Sequence, residues 1–123
     1  MQSNKLKFRD MLEKRVYSFA LNIITFVDQL PKGQVSNVIA EQLVRSATSI
    51  GANVVESQGA ASRKDYANFF SYALKSANET KFWLGLLWDS GKADKASADK
   101  LFNETIELAK ILATSILSLK GRG

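Results

Sequence analysis

Glu56 and Glu79 are the side chains of this 123-residue sequence whose type best suits chemistry. Two carboxylates on facing helices can hold a cation or share a proton. Ser46, Ser49 and Ser76 stand near them as candidate hydroxyl nucleophiles. Neither arrangement finds the partners it needs. Di-metal carboxylate bundles add Glu-x-x-His motifs to their carboxylates, and this chain has no histidine. A serine nucleophile needs an adjacent base, which here could only be lysine or a carboxylate, and no nucleophile motif surrounds these three. Cysteine is absent as well, which removes disulfides and thiolate metal sites. Gly51, Gly59, Gly85 and Gly91 are dispersed and lack the strand-to-helix context of a phosphate-cradling loop. The expectation is a protein that is not an enzyme and uses no metal or cofactor.

The same polar residues have a simpler use. Ser46, Ser49, Asn53 and Glu56 recur at spacings of three, four and three, which puts them on one stripe of a helix, and Ser76 with Glu79 offers a second stripe. Facing one another, the stripes would form a hydrogen-bonded seam inside a bundle, since buried carboxylates and hydroxyls need partners. A packing role is the reading this pattern favours.

Four helices are needed to carry these stripes. Val16, Ala20, Ile23, Val27 and Leu30 share a face, with Phe19 and Phe26 at its edge, and Pro31-Lys32-Gly33 ends the pattern. Ser36 or Asn37 can cap a second helix whose apolar positions are Ile39, Leu43, Ala47, Ile50 and Val54. Gly51 inside it costs about 1 kcal/mol relative to alanine and suggests a close neighbour. Ser62 and Asp65 resemble a capping box that opens the run Tyr66, Phe70, Ala73, Ala77, Thr80, Leu84 and Leu87, which stops near Gly91. Ala98, Leu101, Thr105, Leu108, Leu112 and Leu119, with Ile116 beside them, define a fourth. The prediction is an all-α, antiparallel up-down four-helix bundle, with helices over about 10–30, 36–57, 63–90 and 95–119. Residues 1–123 form one domain with short basic tails at both ends.

The third helix has a second face. With about 100° between successive residues, Phe82 and Leu86 point away from the core stripe, and Tyr72 and Trp83 occupy the flank between. Large apolar residues clustered on the back of a helix mark a partner surface more often than scattered ones do. Self-association through Tyr72, Phe82, Trp83 and Leu86 is therefore expected.

The formal charge is +5 and the pI about 9.6, which favours anionic partners. In an up-down bundle Lys5, Lys7, Arg63, Lys64, Lys120 and Arg122 gather at one end and could bind a nucleic acid through its phosphates. The plainer alternative is a solvated helix end, with the last cations answering the helix dipole. No stretch reaches the roughly 20 apolar residues of a spanning helix, and the basic first residues lack the apolar core and cleavage site of an export signal. No membrane contact and a cytoplasmic location are expected.

The run Gln42-Leu43-Val44-Arg45-Ser46-Ala47-Thr48-Ser49-Ile50-Gly51-Ala52-Asn53-Val54-Val55-Glu56 resembles the signature of the four-helix-bundle proteins encoded within 23S rRNA intervening sequences. Arg63 to Phe70, then Ala73, Ser76, Glu79 and Gly91, is similar to that family's second block, whereas Ser57 departs from its usual glycine. The resemblance implies small bundles that assemble as rings, commonly pentamers. It also implies kinship with the accessory proteins of diversity-generating retroelements, basic barrels that bind nucleic acid and a reverse transcriptase. By this likeness Arg45, Ser49, Asn53, Glu56, Ser76 and Glu79 are signature positions. The function expected is a homo-oligomeric binding protein associated with rRNA or another RNA or DNA, or a retroelement accessory factor. The alternative is a protein-only oligomeric scaffold.

Overall fold

Pro31 has no amide proton and its ring crowds the preceding turn, so the first helix does not run through it. It closes with tight turns from Gln29 N to Phe26 O and Leu30 N to Val27 O, both 3.1 Å. A computed structural model describes the backbone of residues 2–121 and the side chains of residues 7–121. Its elements are α1 (Gln2–Asp28), α2 (Gln34–Glu56), a 3-10 turn at Ser57–Gly59, α3 (Arg63–Asp89) and α4 (Lys95–Gly121). Among the described residues there is no strand. Connections as short as 29–33, 57–62 and 90–94 oblige packed consecutive helices to run antiparallel.

The helix ends show which local signals acted. Ser62 caps α3 by accepting from Asp65 N at 3.0 Å, while Asp65 Oδ2 accepts from Ala61 N, one residue earlier than in the usual reciprocal box. Ser62→Ala should lower stability by about 1 kcal/mol, read as a shift of the urea midpoint with an unchanged slope. At the other end of α3, Gly91 adopts φ +73 and its N–H donates to Trp88 O, while Lys92 N–H donates to Leu87 O. This paired closure needs a left-handed residue, which explains glycine there. Asp94 receives Ser97 N at 3.1 Å and opens α4.

Two expected ends differ. α1 starts at Gln2 instead of near residue 10, because nothing between Ser3 and Arg9 breaks a helix. α2 starts at Gln34 with Gly33 as an N-cap lacking any side-chain hydrogen bond, and Ser36, expected as a cap, turns inward and is buried.

The core is continuous across all four helices and contains Leu12, Val16, Phe19, Ile23 and Phe26 of α1. Phe19 and Phe26, expected at the edge of the α1 stripe, stand at its centre, while Ala20, Val27 and Leu30 are only half-buried. Large rings gain more from burial than alanine does, so they set the rotation of the helix. On α4 likewise Ile116 is in the core and Leu119 lies at its margin. Gly51 lies beside Val16, and a methyl group there would sit 3.5 Å from that side chain, an ordinary contact. Glycine thus marks where α2 passes α1 without being forced by it. α3 packs closely on both α2 and α4, whereas α1 packs on α2 and barely meets α4.

Candidate functional site

A polar contact joins α2 and α3 through Ser46, as the sequence suggests, but its partner is Thr80 and not the Ser76 or Glu79 side chain. Thr80 of α3 and Ser46 of α2, both buried, place their hydroxyls 2.9 Å apart across the helix interface. Thr80 Oγ1 also lies 2.8 Å from Ser76 O, and Ser46 Oγ lies 3.2 Å from Leu43 O. With one proton each, the two hydroxyls form a short relay that ends on a backbone carbonyl. Thr80 entered the sequence reading only as part of an apolar stripe. Its buried hydroxyl is the polar anchor between α2 and α3.

The signature positions do not converge. Arg45 is exposed and pairs with Glu41 at 3.6 Å on its own helix. Ser49 Oγ donates to Arg45 O at 2.8 Å, and Asn53 Nδ2 donates to Ser49 O at 2.9 Å. Glu56 is exposed at the end of α2, about 15 Å along the axis from Ser46 at about 1.5 Å per residue. Glu79 is exposed on α3 and accepts from Trp83 Nε1 at 3.1 Å. The two carboxylates lie on different faces at different heights. Among the described residues no group of three or more acidic side chains is placed to hold a metal ion.

Up-down topology brings the start of α1, the end of α2, the start of α3 and the end of α4 to one end of the bundle. Lys7, Arg63, Lys64 and Lys120 are exposed there, and none makes an ion pair among the described residues. The Lys5 side chain and Arg122 lie outside the described residues. Arg9, one of the basic first residues, joins this end half-buried, with its Nε enclosed and without an acceptor among the described residues. At this end Lys7, Arg9, Lys14, Arg63, Lys64 and Lys120 thus stand against Asp10, Glu13, Glu56 and Asp65. At the opposite end Lys32, Lys92, Lys95 and Lys100 are matched by Asp28, Asp89, Asp94 and Asp99. The excess positive charge is therefore not spread evenly but concentrated at one end.

Two apolar faces remain open. On α3, Tyr72 and Phe82 are 57% and 58% exposed and Leu86 38%, while Trp83 lies edge-on to Phe82 at 5.0 Å and packs partly on the core. On α1, Tyr17, Leu21 and Ile24 are 68%, 49% and 45% exposed. Their spacing of four and three was visible in the sequence, interleaved with the core stripe that drew attention instead. A groove of about 640 Å³ runs beside them between α1 and α2, lined by Tyr17, Ala20, Ala52 and Val55, with Asp10, Glu13, Lys14 and Glu56 as its charged residues.

A larger open groove, about 1090 Å³, separates α1 from α4. Arg15 of α1 spans it, donating through Nε and a terminal nitrogen to both oxygens of Glu104 at 2.8 Å. This hydrogen bonding raises the Arg15 pKa above its ordinary value, against the effect of burial, with the charges of Glu104 and Glu107 adding to it. A raised arginine pKa contributes stability at every pH below the unfolded value and loses it only as pH climbs through the folded one. Arg15 therefore adds no pH dependence in the neutral range. Both side chains are about one third exposed, which holds the pair to about 1 kcal/mol or less.

No helix is long and apolar enough to cross a membrane among the described residues. No curated protein is similar to this chain. The crystal structure of a protein with unknown function from the S23 ribosomal protein family of Bacteroides thetaiotaomicron VPI-5482 is similar to it, with 34% identity and a TM-score of 0.81 over 88% of this chain and 96% of that one. The signature of α2 and the opening block of α3 fall within residues 11–114, over which the chain matches a family model, and on that match it belongs to the 23S rRNA-intervening sequence protein family.

Proposed function

We propose that this protein is a non-enzymatic, self-associating bundle that binds RNA through its basic end. The observation that carries the reading is the asymmetry of charge: Lys7, Arg63, Lys64 and Lys120 are exposed and unpaired among the described residues at one end, while lysines and aspartates balance at the other. Such a surface suits phosphate oxygens, which make contacts without demanding a base-reading motif. A family described by a 23S rRNA intervening sequence, and a relative grouped with S23 ribosomal proteins, support RNA as the polyanion.

The other two parts rest on their own observations. The hydroxyls of Ser46 and Ser49 are hydrogen-bonded to Leu43 O and Arg45 O, with no base beside them, and Glu56 and Glu79 are apart, which supports a binding role over catalysis. The exposed ridge of Tyr72, Phe82 and Leu86 supports a homo-oligomer, with the pentameric ring as the form the resemblance implies.

The test is fluorescence anisotropy with a labelled rRNA hairpin. Binding at low salt should weaken with a log–log slope of about −3, as expected for about four phosphate contacts. Arg63→Glu with Lys120→Glu should reduce affinity at least tenfold and flatten that slope. Lys92→Glu with Lys95→Glu, at the balanced end, should change it less than threefold. Absence of binding at low salt, or equal losses from the two pairs, would overturn the RNA reading and leave a protein-only scaffold.

A further inference from the structure

We infer that the groove between α1 and α4 is the path of a single RNA strand, which enters from the basic end, lays a base on the Arg15 guanidinium and turns further bases toward the amides of Asn22, Gln29 and Asn103. The inference rests on the RNA reading above and names the class of RNA and the surface that takes it.

The groove is continuous with the basic end, because Lys7 belongs to both. Its charges change along its length. Lys7, Asp10, Lys14 and Glu107 stand in the half nearer the basic end, the Arg15 and Glu104 pair crosses the middle, and Lys100 lies beyond it. Glu107 has Lys110 of its own helix at 3.9 Å. Arg15 and Glu104 cancel, as do Glu107 and Lys110. Lys7, Lys14 and Lys100 then outweigh Asp10, and the groove keeps a net positive charge suited to phosphates.

Arg15 is held in an unusual way for a residue of an open groove. Its Nε and a terminal nitrogen both donate to Glu104 at 2.8 Å, which fixes the plane of the guanidinium while the side chain stays partly exposed. A guanidinium held flat offers a face on which an unpaired base can stack, whichever base it is.

Beyond this pair the wall becomes polar without charge. Ser18, Asn22, Thr25 and Gln29 recur at spacings of four, three and four, so they form one stripe of α1, and all four line the groove. Between Arg15 and Asp28 α1 carries no charged residue. Counting along the antiparallel helices from the Arg15 and Glu104 contact sets Ser97 level with Asn22 and Lys100 level with Phe19, opposite the stripe. Asn103 adds an amide from α4 at the height of Val16. Asn22, Gln29 and Asn103 are exposed, and amides that both donate and accept match the edges of bases. In duplex RNA those edges are paired and lie in a groove too narrow for side chains, so an unpaired strand is the ligand these amides can read.

The experiment uses the full chain and two fluorescent probes read by anisotropy at one salt concentration. One is a mixed-sequence single-stranded RNA of about twelve nucleotides, and the other is that strand annealed to its complement. The single strand should bind at least tenfold more tightly than the duplex. Asn22→Ala with Asn103→Ala should weaken single-strand binding about tenfold and leave its salt slope unchanged, because no phosphate contact is lost. Arg15→Lys keeps the charge and removes the flat face, and should weaken the single strand about fivefold without changing duplex binding. Circular dichroism should show the helices intact in each variant, since Asn22 and Asn103 are exposed and Arg15 lies outside the core. If strand and duplex bind alike, or the groove variants leave single-strand binding intact while Arg63→Glu with Lys120→Glu still weakens it, the groove inference is overturned and the RNA reading stands. Absence of binding to either probe overturns both.

Discussion

Replacing Phe70 with alanine should cost about 3–5 kcal/mol, the largest loss expected from a single side chain here, and a large fraction of the roughly 5–15 kcal/mol that stabilises a domain this size. Phe70 is 1% exposed, lies in the continuous core and has Tyr66 tilted against it at 4.9 Å between ring centres. Removing the ring loses its transfer free energy and leaves a cavity. Ala67, Ala73 and Ala77 are also buried on α3 and carry too little bulk to fill it. Urea unfolding followed by circular dichroism would measure the loss. A change below about 1 kcal/mol would mean that the helices close around the vacancy and that the core is less rigidly packed than the burial of Phe70 implies.

The second large effect concerns the hydroxyl relay. Thr80→Val keeps the shape of the side chain and deletes its oxygen, so Ser46 loses its cross-helix partner in a site with no access to water. The expected cost is about 1–2 kcal/mol. Ser46→Ala combined with Thr80→Val should cost less than the sum of the two single changes, because an apolar pair leaves nothing unsatisfied. Strict additivity in that double-mutant cycle would show that each hydroxyl is satisfied by its own helix carbonyl and that the 2.9 Å contact contributes no coupling.

The architecture was legible in the sequence because four stretches keep one helical period and are separated by strong punctuation: Pro31-Lys32-Gly33, Ser62 with Asp65, and Gly91. Where the reading strayed, two patterns overlapped on one helix. On α1 the stripe through Ala20 and Leu30 and the stripe through Phe19 and Phe26 share Val16 and Ile23. Only the relative size of phenylalanine and alanine settles which way the helix turns. The same overlap concealed Tyr17, Leu21 and Ile24, which look like a widened core until the helix is fixed against its neighbours. A cap is equally hard to place when several candidates adjoin, as Gly33, Ser36 and Asn37 do, because whether a serine caps or turns inward depends on tertiary packing and not on the local sequence.

The site was less legible than the fold. Charge at one end follows directly from chain direction, so Lys7, Arg63, Lys64 and Lys120 could be grouped from residue numbers alone. Pairing across helices could not. Nothing in the sequence says that Arg15 would reach Glu104, or that Thr80 would meet Ser46 while Glu56 and Glu79 stay on separate faces, since those depend on the height at which one helix passes another. A signature read along one helix need not be a site. Arg45, Ser49 and Asn53 hydrogen-bond or pair within α2 itself.

The slight contact between α1 and α4 has a dynamic consequence. In one copy α1 is secured along one side by α2 and tied across the open side by the Arg15–Glu104 pair, whereas α3 is enclosed by two neighbours. Opening should therefore begin at α1, whose amides would exchange with deuterium before those of α3 as a separate cooperative unit.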